Sequence, residues 1–324
     1  MSLDILDILF KLDYFVCLLI GFPLNILLII LIIFKTPKEM KTHSRILIQN
    51  CVLDILMLIN QMFVQVLEGE TNRDGVIIRG RFYISDTEGN AINILPYGIL
   101  LSLMKENFNP FISFIYLMFM NCIASLNFFG LCVQFIYRYL ILNRNMKINF
   151  RRYLYMLSIA LLVSLIYNLD LAFLVNPYSF GGVKHFDNFN KTWPFTQGKM
   201  ENISVWSQLF LAIFQIVPYL IIFVCGFKMV RYVNLNTNLD GNLKRLNKLL
   251  TKVLILLAVV PFVSQAGLII LISFLSTNND SANIIRILIY IYFHFTPIFN
   301  PIICILTNTP YRNAIFNRAQ ITPQ

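Results

Sequence analysis

Charge is what this sequence has least of. Only 13% of the 324 residues are charged, against 57% hydrophobic and 14% aromatic, and mean hydropathy is positive. A water-soluble domain carries about 25% charged residues, so the scarcity excludes a chain whose surface faces mainly water. Histidine is sparse too: His43, His185 and His294 are the full complement, in three separate segments. No serine-nucleophile motif and no phosphate-cradling glycine loop accompanies them, and the paired carboxylates lie in polar loops, so neither enzyme activity nor a cofactor is expected. The six cysteines (Cys17, Cys51, Cys122, Cys132, Cys225, Cys304) all sit inside apolar runs. None has metal-ligand spacing, and none lies in a polar segment where a secreted domain places its disulfides. Internal repeats and low-complexity tracts are absent.

What is present is apolar length. Seven charge-poor runs of at least ~18 residues, enough to cross a bilayer, occupy 14–34, 46–67, 108–137, 153–174, 204–227, 253–275 and 287–306. The expected fold is an all-α membrane protein: one seven-helix bundle filling residues 1–324, with 307–324 as a short tail. Residues 91–104 are also apolar, but too short to cross and broken by Pro96 and Gly98; they read as a loop or surface segment before the third span. The first charges, Asp4, Asp7 and Asp13, are acidic, and the first apolar run is long enough to remain as a span rather than a cleaved signal.

The net charge of +10 is explained once the charges are placed. The segments after spans one, three and five, with the tail, hold 17 of the 26 Lys and Arg residues. The remaining outer segments hold nine, against twelve acids. The positive-inside rule then puts the N-terminus outside and the tail in the cytoplasm, and no nucleic-acid partner is needed. Three glycosylation sequons, at Asn190, Asn202 and Asn279, all fall in segments placed outside by that count. Asn190 is farthest from the membrane and is the best acceptor.

A polar group in a span costs enough to require a reason. Asp54 lies nine residues beyond Arg45, about 14 Å from the cytoplasmic end at 1.5 Å per residue. Asn25 lies ten residues before Lys35, about 15 Å by the same arithmetic, and Asn300 about 14 Å before Thr309. Three polar residues on spans one, two and seven thus share one depth. Asn300 also sits between Pro297 and Pro301 in "TPIFNPIICIL". The prolines free backbone carbonyls and bend the helix, and Asn300 is placed to bond Asp54 and Asn25 across the bundle.

In the outer halves, Asn121, Gln215, Gln265, Tyr290 and His294 stand among Phe111, Phe114, Tyr116, Met118, Phe214 and Phe293. Aromatic walls with a few convergent polar groups are what a small, fairly apolar ligand needs, while plain interhelical packing is the alternative for each residue. At the cytoplasmic end, Arg138 closes span three in "FIYRYLILNR", and Lys248 and Lys252 belong to a basic rim that suits an acidic or amphipathic partner helix.

Seven spans, "YRY" closing span three, Pro218 in span five, Pro261 in span six and "NP" in span seven resemble the rhodopsin-like G-protein-coupled receptors. "QFIYRYLIL", "LTKVLILLAVVP" and "PYR" at 310–312 are similar to the nematode serpentine chemoreceptors of class delta. The resemblance runs from about residue 14 to 318. It departs at Cys304, where the wider group has tyrosine, and at "LPYG", where class delta receptors tend to carry "GPC"; the usual outer disulfide is therefore not implied. What the resemblance implies is a plasma-membrane chemoreceptor of sensory cilia. A small odorant-like ligand would bind among the outer halves, and a heterotrimeric G protein would dock near Arg138, Tyr137, Tyr139, Lys248 and Lys252.

Two rival functions fit seven apolar spans as well. A ligand-gated cation channel of the odorant-receptor kind would place its N-terminus inside, which the charge distribution opposes. A small-molecule transporter tends to carry internal repeats and charged midplane sites, and Asp54 is the single deeply placed charge.

Overall fold

In hydrocarbon every backbone amide must find its partner within its own segment or a closed sheet, so apolar runs of about 20 residues become helices. The computed structural model describes residues 3–36, 41–63, 65–72, 75–78, 90–97, 99, 109–144, 146, 148–175, 177–186, 191–199, 205–235, 241–274, 288, 291–292 and 294–316. The helices are α1 Leu3–Lys35, α2 Lys41–Phe63, α3 Pro110–Arg144, α4 Phe150–Asp170, α5 Val205–Leu235, α6 Gly241–Phe274, α7 Thr296–Thr307 and α8 Thr309–Phe316. A π-helical turn, Leu171–Val175, extends α4.

Among the described residues, five stretches are long and apolar enough to cross a membrane: Leu12–Lys35, Ser44–Phe63, Pro110–Arg144, Phe150–Leu174 and Ala212–Leu235. The 34-residue α6 and the shorter apolar α7 complete the bundle. Helix neighbours close a ring in the order α1, α2, α3, α5, α6, α7 and back to α1, with α4 packed on the outside of α3. Close approach helps to hold the ring. A Cβ at Gly21 of α1 would lie 2.9 Å from the Leu58 methyls of α2 and 3.5 Å from Ile298 of α7.

The structure corrects the all-α expectation. Among the described residues, five antiparallel strands form one sheet in the order β2-β1-β3-β5-β4: β1 Gln65–Asn72, β2 Gly75–Ile78, β3 Asn90–Tyr97, β4 Tyr178–Phe186 and β5 Lys191–Lys199. The segment expected as a loop at 91–104 contributes β3, whose Ile94 stands opposite Phe195 of β5. Both segments connect helices on the same side of the bundle, so their unpaired backbone groups meet and satisfy one another. The sheet seats on the start of α3. Tyr178 of β4 packs against Phe111 and Phe114, with centroids 5.6 and 5.4 Å apart, and Leu95 of β3 packs on Leu117 and Met120.

The span boundaries also shift. Strand β1 takes over at Gln65, inside the second expected span, and α3 continues past residue 137 to Arg144. Arg138 therefore sits within a helix rather than at its end. α5 likewise extends past the end of its apolar run to Leu235, and α6 begins before its own at Gly241, because water ends a hydrophobic run but does not end a helix. The expected tail begins with α8, joined to α1 by hydroxyls. Thr36 gives its proton to Ile32 O at 2.6 Å, so Tyr311 Oη donates to Thr36 Oγ1 at 2.9 Å. Burial pushes the Tyr311 phenol above its ordinary titration range, which keeps that proton in place.

Candidate functional site

The proline at 301 explains the middle of α7. Pro301 has no N–H, so the carbonyl of Pro297, four residues before it, lacks its helical donor. Asn25 supplies one: its Nδ2 donates to Pro297 O at 2.8 Å and to Gly21 O of its own helix at 3.0 Å, with the side chain fully buried. The depth arithmetic had Asn25 bonding across to Asn300, and the structure turns it to the backbone of α7 instead.

Asn300 does reach Asp54. Its Nδ2 lies 3.0 Å from both carboxylate oxygens, and Asn127 of α3 donates a further bond to Asp54 Oδ1 at 3.1 Å. Asp54, 1% exposed, is thus held by amides from two other helices. One turn before Asp54 on α2, Asn50 and Gln134 exchange reciprocal bonds between α2 and α3. Asn127 and Gln134 were legible only as polar residues inside a span; their partners depend on helix rotation, which depth does not specify.

Farther along α3, Arg138 Nη2 donates to Asn247 Oδ1 of α6 at 2.6 Å, tying α3 to α6. Its Nε is buried with no hydrogen-bond partner among the described residues. Tyr137, expected at a docking surface, is turned inward. It is buried with its ring 5.1 Å from Tyr153 of α4 in an edge arrangement. Tyr139 is half-buried beneath the Lys228 ammonium, 5.7 Å from its ring centroid, whereas Lys248 and Lys252 are exposed.

The outer-half residues divide into three places. Phe114 and Met118 line the junction of α3 with the sheet, where Tyr116 Oη donates to Asn60 Oδ1 of α2 at 2.7 Å. Phe214 and Gln215 turn toward α4 instead. Phe214 stacks on Tyr167 at 6.3 Å and meets Phe129 edge-on, and exposed Gln215 hydrogen-bonds the Tyr167 phenol. Asn121 is half-buried on α3.

His294 takes a third direction. Its Nδ1 lies 2.6 Å from Asp13 Oδ2 of α1, both side chains 2% exposed, and the Tyr14 ring sits 4.6 Å from the imidazole. In sequence Asp13 stands only as one of the N-terminal acids. The signal that marks it is its place at the first turn of an apolar run. The side chain of Gln265, and residues Tyr290, Phe293, Asn190, Asn202 and Asn279, lie outside the described residues. Among the described residues no group of three or more His, Cys, Asp or Glu side chains is arranged to hold a metal. All six cysteines are free thiols.

The arrangement is one of buried, hydrogen-bonded polar contacts crossing between helices that otherwise pack through apolar faces, with a sheet seated on the start of α3. Chains of this build sit across the bilayer in several passes. No curated protein matches the chain. The family described as "Serpentine type 7TM GPCR chemoreceptor Srd", a receptor family rather than an enzyme family, matches residues 10–317, nearly the whole length. This multi-pass membrane protein belongs to the serpentine type 7TM GPCR chemoreceptor Srd family.

Proposed function

We propose that the chain is a single-domain seven-span chemosensory receptor, N-terminus outside and tail in the cytoplasm, working in the plasma membrane of sensory cilia. A small, fairly apolar ligand enters from outside and settles among the outer halves of α3, α5, α6 and α7, beneath the sheet. Phe114, Met118 and Asn121 are the wall residues nearest that mouth. Gln265, Tyr290 and Phe293 complete the expected set, while His294 contributes through its clasp to Asp13.

Binding favours a state in which the cytoplasmic ends of α3 and α6 part, and it does so only by its greater affinity for that state. The bends at Pro261, Pro297 and Pro301 let the helices move while Asn25, Asp54 and Asn300 keep their polar groups paired. A heterotrimeric G protein then docks beside Arg138, Tyr139, Lys248 and Lys252. The observation that carries this reading is the Arg138–Asn247 bond, which joins the two helices whose separation would open the docking cleft, in a chain of a chemoreceptor family.

The test is a heterologous cell expressing the receptor, challenged with a panel of volatile and water-soluble chemicals. Arg138→Ala is expected to abolish the evoked second-messenger response while surface biotinylation stays at wild-type level. A normal response in that variant overturns the assigned role. For topology, Asn190→Gln is expected to remove most of any glycan mass shift. A glycan on a site engineered between residues 231 and 252 would invert the orientation.

A further inference from the structure

We propose that Asp13 and His294 form a proton-responsive clasp between α1 and the segment entering α7. Among the described residues the seam between α1 and the stretch from His294 through α7 to α8 has three polar rungs. At one end Asp13 meets His294 at 2.6 Å, and the Cys17 thiol contacts Asp13 Oδ1 at 3.8 Å and the His294 carbonyl at 3.7 Å. In the middle Asn25 holds the Pro297 carbonyl at 2.8 Å, and at the other end Tyr311 meets Thr36 at 2.9 Å. Amides and neutral hydroxyls keep their charge near neutral pH. Imidazole is the side chain that ordinarily gains or loses a proton between about pH 5 and 8, so only the first rung changes strength with acidity.

The chemistry sets the direction. With its proton, the imidazolium makes a charge-assisted hydrogen bond to the carboxylate, and the buried charges cancel. Without it, neutral imidazole still donates through Nδ1, but the carboxylate is left buried without a counter-charge, which is costly. The clasp is therefore tight while the imidazole is protonated and loosens as pH rises through its titration.

Among the described residues the titratable neighbours are these. On α1, Tyr14 and Cys17 flank the pair; Lys11 precedes Asp13 by two residues, and its side chain is outside the described set. The outer turns of α2 hold Asn60 and Gln61, which do not titrate, and its Cys51 and Asp54 lie nearer the cytoplasmic end. The stretch of α6 from Pro261 to Phe274 contains no titratable residue, and Tyr292, just before His294, donates its phenol to Val260 O at 3.5 Å. Placement of the clasp at the extracellular end rests on the orientation proposed above.

The experiment is thermal unfolding of the full chain in lipid nanodiscs at pH 5.5 and pH 8.0, with protons as the only ligand. The wild-type melting temperature is expected to fall by roughly 2–4 °C between the two. His294→Gln and Asp13→Asn should each flatten that difference. The exchanged double variant, Asp13→His with His294→Asp, should restore it, which a purely space-filling role would not do. A wild-type chain with no pH difference overturns the proposal, and so does a His294→Gln variant that keeps the full difference, since His43 or His185 would then be responsible. The measurement needs no odorant and no G protein, so a receptor silent in the chemical panel leaves the clasp standing, and a flat pH profile leaves the receptor reading standing.

Discussion

The bond from Asn25 to the Pro297 carbonyl makes a prediction that separates a backbone repair from ordinary side-chain packing. Replacing Asn25 by leucine keeps nearly the same volume but removes the donor. Gly21 O keeps its own helical N–H, so its loss is small. Pro297 O lacks its i+4 helical donor, because position 301 is proline. Polar pairs within membranes are worth about 0.6 kcal/mol on average and up to about 1.7 kcal/mol, so Asn25→Leu should lower the folding equilibrium constant about 3- to 18-fold. Pro301→Ala returns an N–H to position 301 and gives the carbonyl an in-helix partner. In that background the cost of Asn25→Leu should shrink toward zero, leaving a coupling energy close to the full single-variant loss. Reversible unfolding in mixed micelles, followed as SDS fraction rises, reads all four corners of the cycle. Equal losses with proline and with alanine at 301 would refute the reasoning, because Asn25 would then act through packing alone.

Three further outcomes follow from the same geometry. Asn300→Asp sets a second carboxylate against Asp54, and surface delivery measured by biotinylation should fall sharply; adding Asp54→Asn recreates one amide facing one carboxylate and should restore delivery, and failure of that rescue counts against a direct pairing. A Cβ at Gly181 would lie 2.3 Å from Pro110 Cβ and 2.9 Å from Phe195 O, whereas one at Gly182 meets nothing within 4 Å. Gly181→Ala is therefore expected to destabilise by about 1–3 kcal/mol and Gly182→Ala to be nearly neutral in thermal melts, and similar melts for both would discredit the seating of the sheet on α3. Hydrogen bonds to a charged group contribute about 1.5–3 kcal/mol, so Asn247→Ala should raise agonist-independent signalling by roughly 10- to 150-fold, and an unchanged basal signal would show that the Arg138 contact does not restrain α6.

How much could be read in advance differs by element for a physical reason. The apolar runs located the bundle because hydrocarbon tolerates only self-satisfied backbone over about 20 residues. Helix ends were legible only where they coincide with the membrane boundary. α3 runs to Arg144 and α6 begins at Gly241, well into polar sequence where hydropathy carries no signal. The sheet was not legible. β3 and β5 are weakly patterned strands separated by the whole of α3 and α4, and pairing such as Ile94 with Phe195 is a long-range event.

The polar network shows the same division at the level of single atoms. Sequence alone determined that Asp54 and Asn300 lie at one depth, since rise per residue is constant along a helix. It also determined that Pro297 and Pro301 leave carbonyls without donors, since proline lacks the N–H wherever it occurs. Which neighbour answers each need was left to the tertiary structure. Rotation of α1 turns Asn25 to the Pro297 backbone and Asp13 to His294, α3 brings Asn127 to Asp54, and α6 brings Asn247 to Arg138. Depth is a property of one helix, whereas a hydrogen bond needs the azimuth of two, and only packing of the whole bundle sets both.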